Sequence, residues 1–326
     1  VLTGAGVALE SLSRELTITP EAISCRNPLT GKVFGADARL EGAIDLETLQ
    51  PGSSDLRASL EGLAFEPRIY EILPDQGKKI WDTYNPSGAF DFSIEAVGEE
   101  FPPQISEISV MLRKADGNYA PYPYPLRDID GEIRYTPNLL EIDLEGGLPE
   151  TPVRARGSFE TVAFGERHLL IEGFGIPIDD RVRTALGDRF SGIYDDYSPT
   201  GISDLAITLE RQKLGDPLDL KVIVKPTRAS LSHKFFPYRI DEVQGEIIFD
   251  ISGKKLLLRD LIGQHGISPI NLSAGYVDLV TGDMELPIES QRLVPDEDLL
   301  AALPDDVEAR LRSLDLLNGG GALGTV

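Results

Sequence analysis

Two hydrophobic periodicities alternate along this chain. Val182, Leu186, Phe190, Ile193 and Tyr197 fall 4, 4, 3 and 4 residues apart on one helical face, and Asp179 and Asp180 precede them to cap a helix start. Ile69, Leu73, Ile80 and Tyr84 draw the same stripe, with Gly77 leaving a gap. Pro74 and Pro304 stand where a new helix can begin, so each patch reads as two short helices. Tyr84-Asn-Pro86-Ser-Gly88 and Tyr197-Ser-Pro199-Thr-Gly201 then end the patch, because the residue before Pro leaves the helical region and Gly permits a turn. Beyond the turn the period falls to 2. Leu205, Ile207 and Leu209 alternate with polar or small residues, as do Leu218, Leu220, Val222 and Val224; Ile247, Phe249 and Ile251 share a face, and so do Ile270, Leu272, Ala274 and Tyr276. The alternation predicts antiparallel strands with one apolar and one wet face, about five to seven in a row between turn signals.

The two patterns repeat together. Residues 70–94 lie over residues 183–207 without a gap at an offset of 113, with nine of 25 positions identical, among them Asp82/Asp195, Pro86/Pro199, Gly88/Gly201 and Asp91/Asp204. Residues from Tyr122 match those from Phe236 at an offset of 114, with Gly131/Gly245, Glu132/Glu246 and Ile133/Ile247 identical, and Leu303-Pro304-Asp305 opens a further copy. The chain therefore divides into the C-terminal part of one unit (1–65), two full units (66–178 and 179–293) and the start of another (294–326). The expected fold is mainly β with short helices: a repeated antiparallel meander forming an elongated, curved sheet, with a helix pair per unit of about 113 residues. Two short helices cannot cover so long an apolar face, so the sheet either curls on itself or leaves an apolar groove.

Composition narrows the partners. Lys and Arg number 31 against 54 Asp and Glu, a net charge of −23, which disfavours nucleic acid and anionic lipid surfaces. The single cysteine, Cys25, rules out an internal disulfide and a cysteine-based zinc site; it reads as an inert apolar residue in a strand. No stretch approaches the roughly 20 apolar residues that span a bilayer, so the segment reads as soluble, with any anchor or targeting signal outside it.

The line aromatic-Pro-Tyr-x-(Leu/Ile)-x-(Asp/Glu)-(Ile/Val)-x-Gly-Glu-Ile occurs at Tyr122 to Ile133 and Phe236 to Ile247, each time followed by apolar strands. With the stretch from Ile240 to Asp278, it resembles the repeat grammar of the AsmA-like proteins, a bacterial envelope family of TamB type. The resemblance implies a long sheet, taco-shaped in section, that stands in the periplasm and conducts phospholipid acyl chains through an apolar groove, anchored by a transmembrane helix outside this segment. The helical patches depart from that pattern and would plug or brace the groove. On this reading the groove candidates are Leu218, Leu220, Val222, Val224, Ile247, Phe249, Ile251, Ile270, Leu272 and Tyr276, while Pro86, Gly88, Pro199 and Gly201 form the repeat turns. The partners are phospholipid acyl chains and other envelope proteins, membrane contact coming only through missing termini.

A lipid conduit needs no nucleophile, metal, cofactor or general base, and the sequence offers none. His168, His233 and His265 lack a carboxylate at ligand spacing and read as surface or strand-end imidazoles. Gly319-Gly-Gly321-Ala-Leu-Gly324 matches a dinucleotide fingerprint but follows a helix, and reads as a loop. Asp128-Ile-Asp130-Gly131 reads as a turn because no downstream Glu completes a calcium loop. Asp195-Asp196 and Asp305-Asp306 read as solvated helix acids, and Trp81, Tyr84, Tyr194 and Tyr197 as packing. The alternative is a structural or adhesive repeat that binds another envelope protein. It is separated from a conduit by whether the apolar face stays open.

Overall fold

The computed structural model describes residues 10–13, 17–18, 22–45, 56–97, 104–120 and 124–313. The loop at 319–324 and the positions Tyr122 and Pro123 lie outside them, as do the side chains of Cys25 and Phe190.

The elements follow in chain order. An initial group holds β1 (Glu10–Ser13), β2 (Thr17–Ile18), β3 (Ala22–Val33), β4 (Ala36–Asp45) and β5 (Leu56–Ala64). Next come α1 (Pro67–Ile72) and α2 (Asp75–Tyr84), then β6 (Ser87–Val97), β7 (Gln104–Asn118), β8 (Pro125–Tyr135), β9 (Leu139–Leu148), β10 (Thr151–Glu160) and β11 (Arg167–Ile178). The pattern then restarts with α3 (Asp180–Tyr197), β12 (Thr200–Arg211), β13 (Asp219–His233), β14 (Phe236–Asp250), β15 (Lys255–His265), β16 (Ser268–Asp278) and β17 (Met284–Glu285). The described chain closes with α4 (Glu297–Ala302) and α5 (Asp305–Ser313).

From β3 onward each strand pairs antiparallel with the next, and β1 and β2 both pair with β3. The result is one open meander sheet. Among the described residues, strands make substantial contact only with strands they hydrogen-bond to. The chain exposes 20077 Å². A compact monomer of 35.6 kDa exposes about 13,000 Å².

The repeat is visible in the backbone as well as in the sequence. The first helical patch begins at Pro67 and ends at Tyr84; the second begins at Asp180 and ends at Tyr197, both 113 residues on. Asn85 and Ser198 close these patches in the left-handed region, at φ 44° and 40°. The patches differ in the middle. Leu73 and Leu303, each before a proline, are extended (ψ 143° and 155°), so α1 and α2 separate, as do α4 and α5. The expected helix pair does not form in the second unit. Gly187 stands where Pro74 stands in the first, no ring excludes the helical conformation, and α3 runs unbroken for 18 residues.

Two glycine pairs explain further recurrences. Gly62 and Gly175, at φ 75° and 62°, occupy bulges in β5 and β11 and point their N–H groups at the carboxylates of Asp91 and Asp204, each 2.8 Å away. Gly88 and Gly201 are the other pair. They do not make the turn that ends the helix, a task that falls to Asn85 and Ser198. They begin β6 and β12, where a Cβ would lie 3.0 Å from the Lys114 carbonyl oxygen and 2.0 Å from that of Arg228. Pro86 and Pro199 lead into these close approaches.

Candidate functional site: an apolar face and its rims

In an antiparallel sheet, paired residues point to the same side, so the register gives the composition of each face. One row crosses twelve strands: Leu63, Phe90, Leu112, Gly131, Leu144, Ala155, Ile171, Ile207, Val222, Phe249, Leu256 and Val277. It contains no polar side chain. The adjacent row on this inner face, Leu60, Phe92, Val110, Ile133, Ile142, Gly157, Leu169, Leu209 and Leu220, is also apolar throughout. From Leu112 to Val277 every member of the first row is half-buried, neither sealed nor fully exposed. Eleven strand spacings make the row roughly 50 Å long, and the two rows together give an apolar strip of roughly 600 Å² in footprint. Monomeric proteins rarely leave contiguous apolar patches above a few hundred Å² unless something occupies them.

The outer face is of opposite character. Met111, Glu132, Asp143, Arg156, Leu170, Thr208, Lys221, Asp250, Lys255 and Asp278 pair in sequence across ten strands. Ion pairs stud this face, including Arg57–Glu95 at 2.6 Å, Arg156–Asp143 at 3.1 Å and Lys225–Glu246 at 2.8 Å. Exposed pairs of this kind add little stability, but they keep the face wetted.

The helices sit at one end of the strands. Ile69 of α1 is buried against Ala36, Leu63 and Phe90, with Trp81 of α2, Phe65 and Phe92 packed around them. Phe65 and Trp81 meet edge to face at 5.4 Å. At the far end of the described chain Leu299 and Ala302 of α4 pack on Tyr238 and Ile270. Among the described residues, no helix lies at the opposite rim.

The sequence-predicted groove residues divide. Leu220, Val222, Val224, Ile247 and Phe249 line the inner face side by side. Leu218 and Ile251 continue it at the loop rim, where the Ile251 N–H donates to the Leu220 carbonyl and the Ser252 hydroxyl to that of Leu218. Leu272 also points inward, since a Cβ on inner-face Gly275 would lie 3.2 Å from its Cδ2. Ile270 lies under α4 and is covered. Tyr276 does not belong. It pairs with Leu257, which pairs with outer-face Ile248. The alternation expected to hold Ile270, Leu272, Ala274 and Tyr276 on one face breaks where Asp260 of β15 turns left-handed, at φ 48°, opposite the interval between Leu272 and Ala274.

The structure also shows contacts that spacing hid. His265, expected at a surface or a strand end, closes β15, but its side chain is only 11 % exposed; its ring stacks on Tyr238 at 4.0 Å and its Nε2 lies 3.0 Å from Asp296 Oδ2. Asp296 also caps α4 through the Leu299 N–H. Burial raises the Tyr238 phenol above its ordinary range. In α3 the Arg183 guanidinium holds Asp195 below the ordinary carboxylate range, and Arg181 does the same for the N-cap Asp179. Among the described residues no group of three or more His, Cys, Asp or Glu could hold a metal ion, and no helix is long and apolar enough to cross a membrane. No family model matches the chain, and no curated protein or solved structure is similar to it.

Proposed function

We propose that this chain is a non-catalytic segment of a bacterial cell-envelope protein that carries phospholipid acyl chains along its inner face. The observation that supports this most is the apolar row from Leu63 to Val277, unbroken over twelve strands; α1 and α2 cover its first end, and from Gly131 to Val277 its members stay half-buried. Each methylene transferred out of water gains about 0.8 kcal/mol, so a continuous strip lowers the barrier for a chain to slide across an aqueous gap. No group needs to react. The AsmA-like strand grammar around Ile240 to Asp278 supports the envelope setting, in the periplasm, with phospholipid movement or outer-membrane biogenesis as the process served.

Native mass spectrometry of the segment purified from bacterial cells, together with extraction of lipid from fluorescent phospholipid vesicles, tests the reading. Bound phospholipid is expected, and Leu220→Asp should abolish it while circular dichroism stays unchanged. A lipid-free protein that extracts nothing from vesicles would overturn it.

A second reading, a partner-binding repeat, is favoured by one feature of the outer face. Ala206, Ile223, Ile248, Leu257 and Tyr276 form an apolar row there. An envelope protein docking on this row would use the opposite surface from the lipid.

A further inference from the structure

The outermost inner-face row at the loop rim starts apolar, with Ile94, Ile108, Tyr135, Leu140 and Phe159, and then meets two cations, Arg167 and Arg211, paired directly across β11 and β12. Like charges opposite one another on a sheet repel. In a chain with 54 acidic residues to draw on, neither guanidinium forms an ion pair among the described residues. Arg211 is buried and held by carbonyls: its Nε donates to Asp216 O at 2.9 Å and its Nη1 to Gly165 O at 3.4 Å, with the Phe164 ring 5.6 Å from its Cζ. Arg167 is not held in this way. Its Nε is buried without a hydrogen-bond partner. A buried charged donor left unmatched is costly, and a guanidinium fork matches the oxygens of phosphate.

The surroundings identify the kind of molecule that carries that phosphate. Leu169 and Leu209 follow the two arginines along the inner face, and Phe159 pairs with Arg167. The loops beyond them are tied together by the Gly215 N–H donating to Phe164 O at 3.0 Å, and they expose Val162, Phe164 and Leu214 at 51 %, 66 % and 67 %. A free anion has no use for these apolar walls. We infer that Arg167, supported by Arg211, binds the phosphate headgroup of a lipid at the loop rim while its acyl chains lie along the inner face. This rests on the lipid reading above and adds the class of headgroup and its position.

The test compares uptake of phosphatidylglycerol and of diacylglycerol with the same chains from neutral vesicles, with inorganic phosphate alone as the third probe. The wild-type protein should take up phosphatidylglycerol at least about tenfold better than diacylglycerol, a preference worth about 1.4 kcal/mol. Arg167→Gln should lose that preference and keep its diacylglycerol, and Arg167→Lys, which retains charge without the fork, should recover part of it. Equal uptake by the wild type, or a preference that survives in Arg167→Gln, overturns the headgroup site and leaves the apolar path standing. Binding of inorganic phosphate with no lipid uptake shows a free-anion site and overturns both. Uptake of none of the three also overturns both.

Discussion

The two full units share an inner face and differ on the outside. Follow one outer row through the first unit and it reads Ser93, Ser109, Arg134, Glu141 and Ser158; the equivalent row in the second reads Ala206, Ile223, Ile248, Leu257 and Tyr276. The two central inner rows stay apolar in both. Their helices differ likewise: Tyr70 and Asp82 touch across the broken first patch (3.2 Å), and at the equivalent positions Arg183 and Asp195 touch within the continuous second (2.6 Å). What the repeat keeps is the inner face and the backbone irregularities that shape it. What it lets change is the solvent side, where substitutions cost little.

That contrast can be broken at several points. The largest expected effect is at the glycines that open β6 and β12. Gly201→Ala should destabilise by about 3 kcal/mol or more, because the new Cβ meets a carbonyl oxygen at 2.0 Å in a left-handed backbone; Gly88→Ala, at 3.0 Å, should cost less. Urea denaturation of both variants checks the order. Next come the carboxylates that receive the bulge N–H groups. Asp91→Ala and Asp204→Ala should each cost about 1–2 kcal/mol, the two within about 0.5 kcal/mol of each other, since both caps measure 2.8 Å. Unequal losses would separate the units.

Smaller still is Gly187→Pro. A proline in a helix interior ordinarily costs about 3 kcal/mol. Here the other two patches already carry Pro74 and Pro304 at this position, so the expected cost is below about 1 kcal/mol, read by thermal melting, with a modest loss of helical circular dichroism. The smallest effect is electrostatic. Asp195 has a folded pKa below its ordinary value, so its contribution is present above the ordinary carboxylate range and lost as pH falls through the depressed value. Arg183→Ala should therefore flatten the acid end of a plot of melting temperature against pH.

The repeat, the helical patches and the strand alternation were legible because each depends on residues close in sequence. Pro74 and Pro304 announced their helix breaks in the same way; the helix pair expected in the second unit did not form, because Gly187 has no ring to exclude the helical conformation. The face on which Tyr276 lies was not legible. It depends on a left-handed residue, Asp260, in the neighbouring strand, and Asp, though it enters that conformation more readily than most residues, does so at few of its positions here. The Arg167–Arg211 pair was hidden for a related reason: only the register of β11 on β12 brings the two together. His265 looked unpartnered because Asp296 reaches it from a helix that begins beyond β16 and β17.

Adjacent residues of β14 give the most direct test of the central claim. Ile248 points outward and is 5 % exposed, while Phe249 points inward and is half-buried, so a charge at Ile248 disturbs folding at least as much. Phospholipid bound to the intact protein should be measured by native mass spectrometry for Ile248→Glu and Phe249→Glu side by side. The account predicts that Phe249→Glu loses its lipid and Ile248→Glu keeps it. Equal retention in both, or loss in Ile248→Glu alone, would contradict an inner face that carries acyl chains.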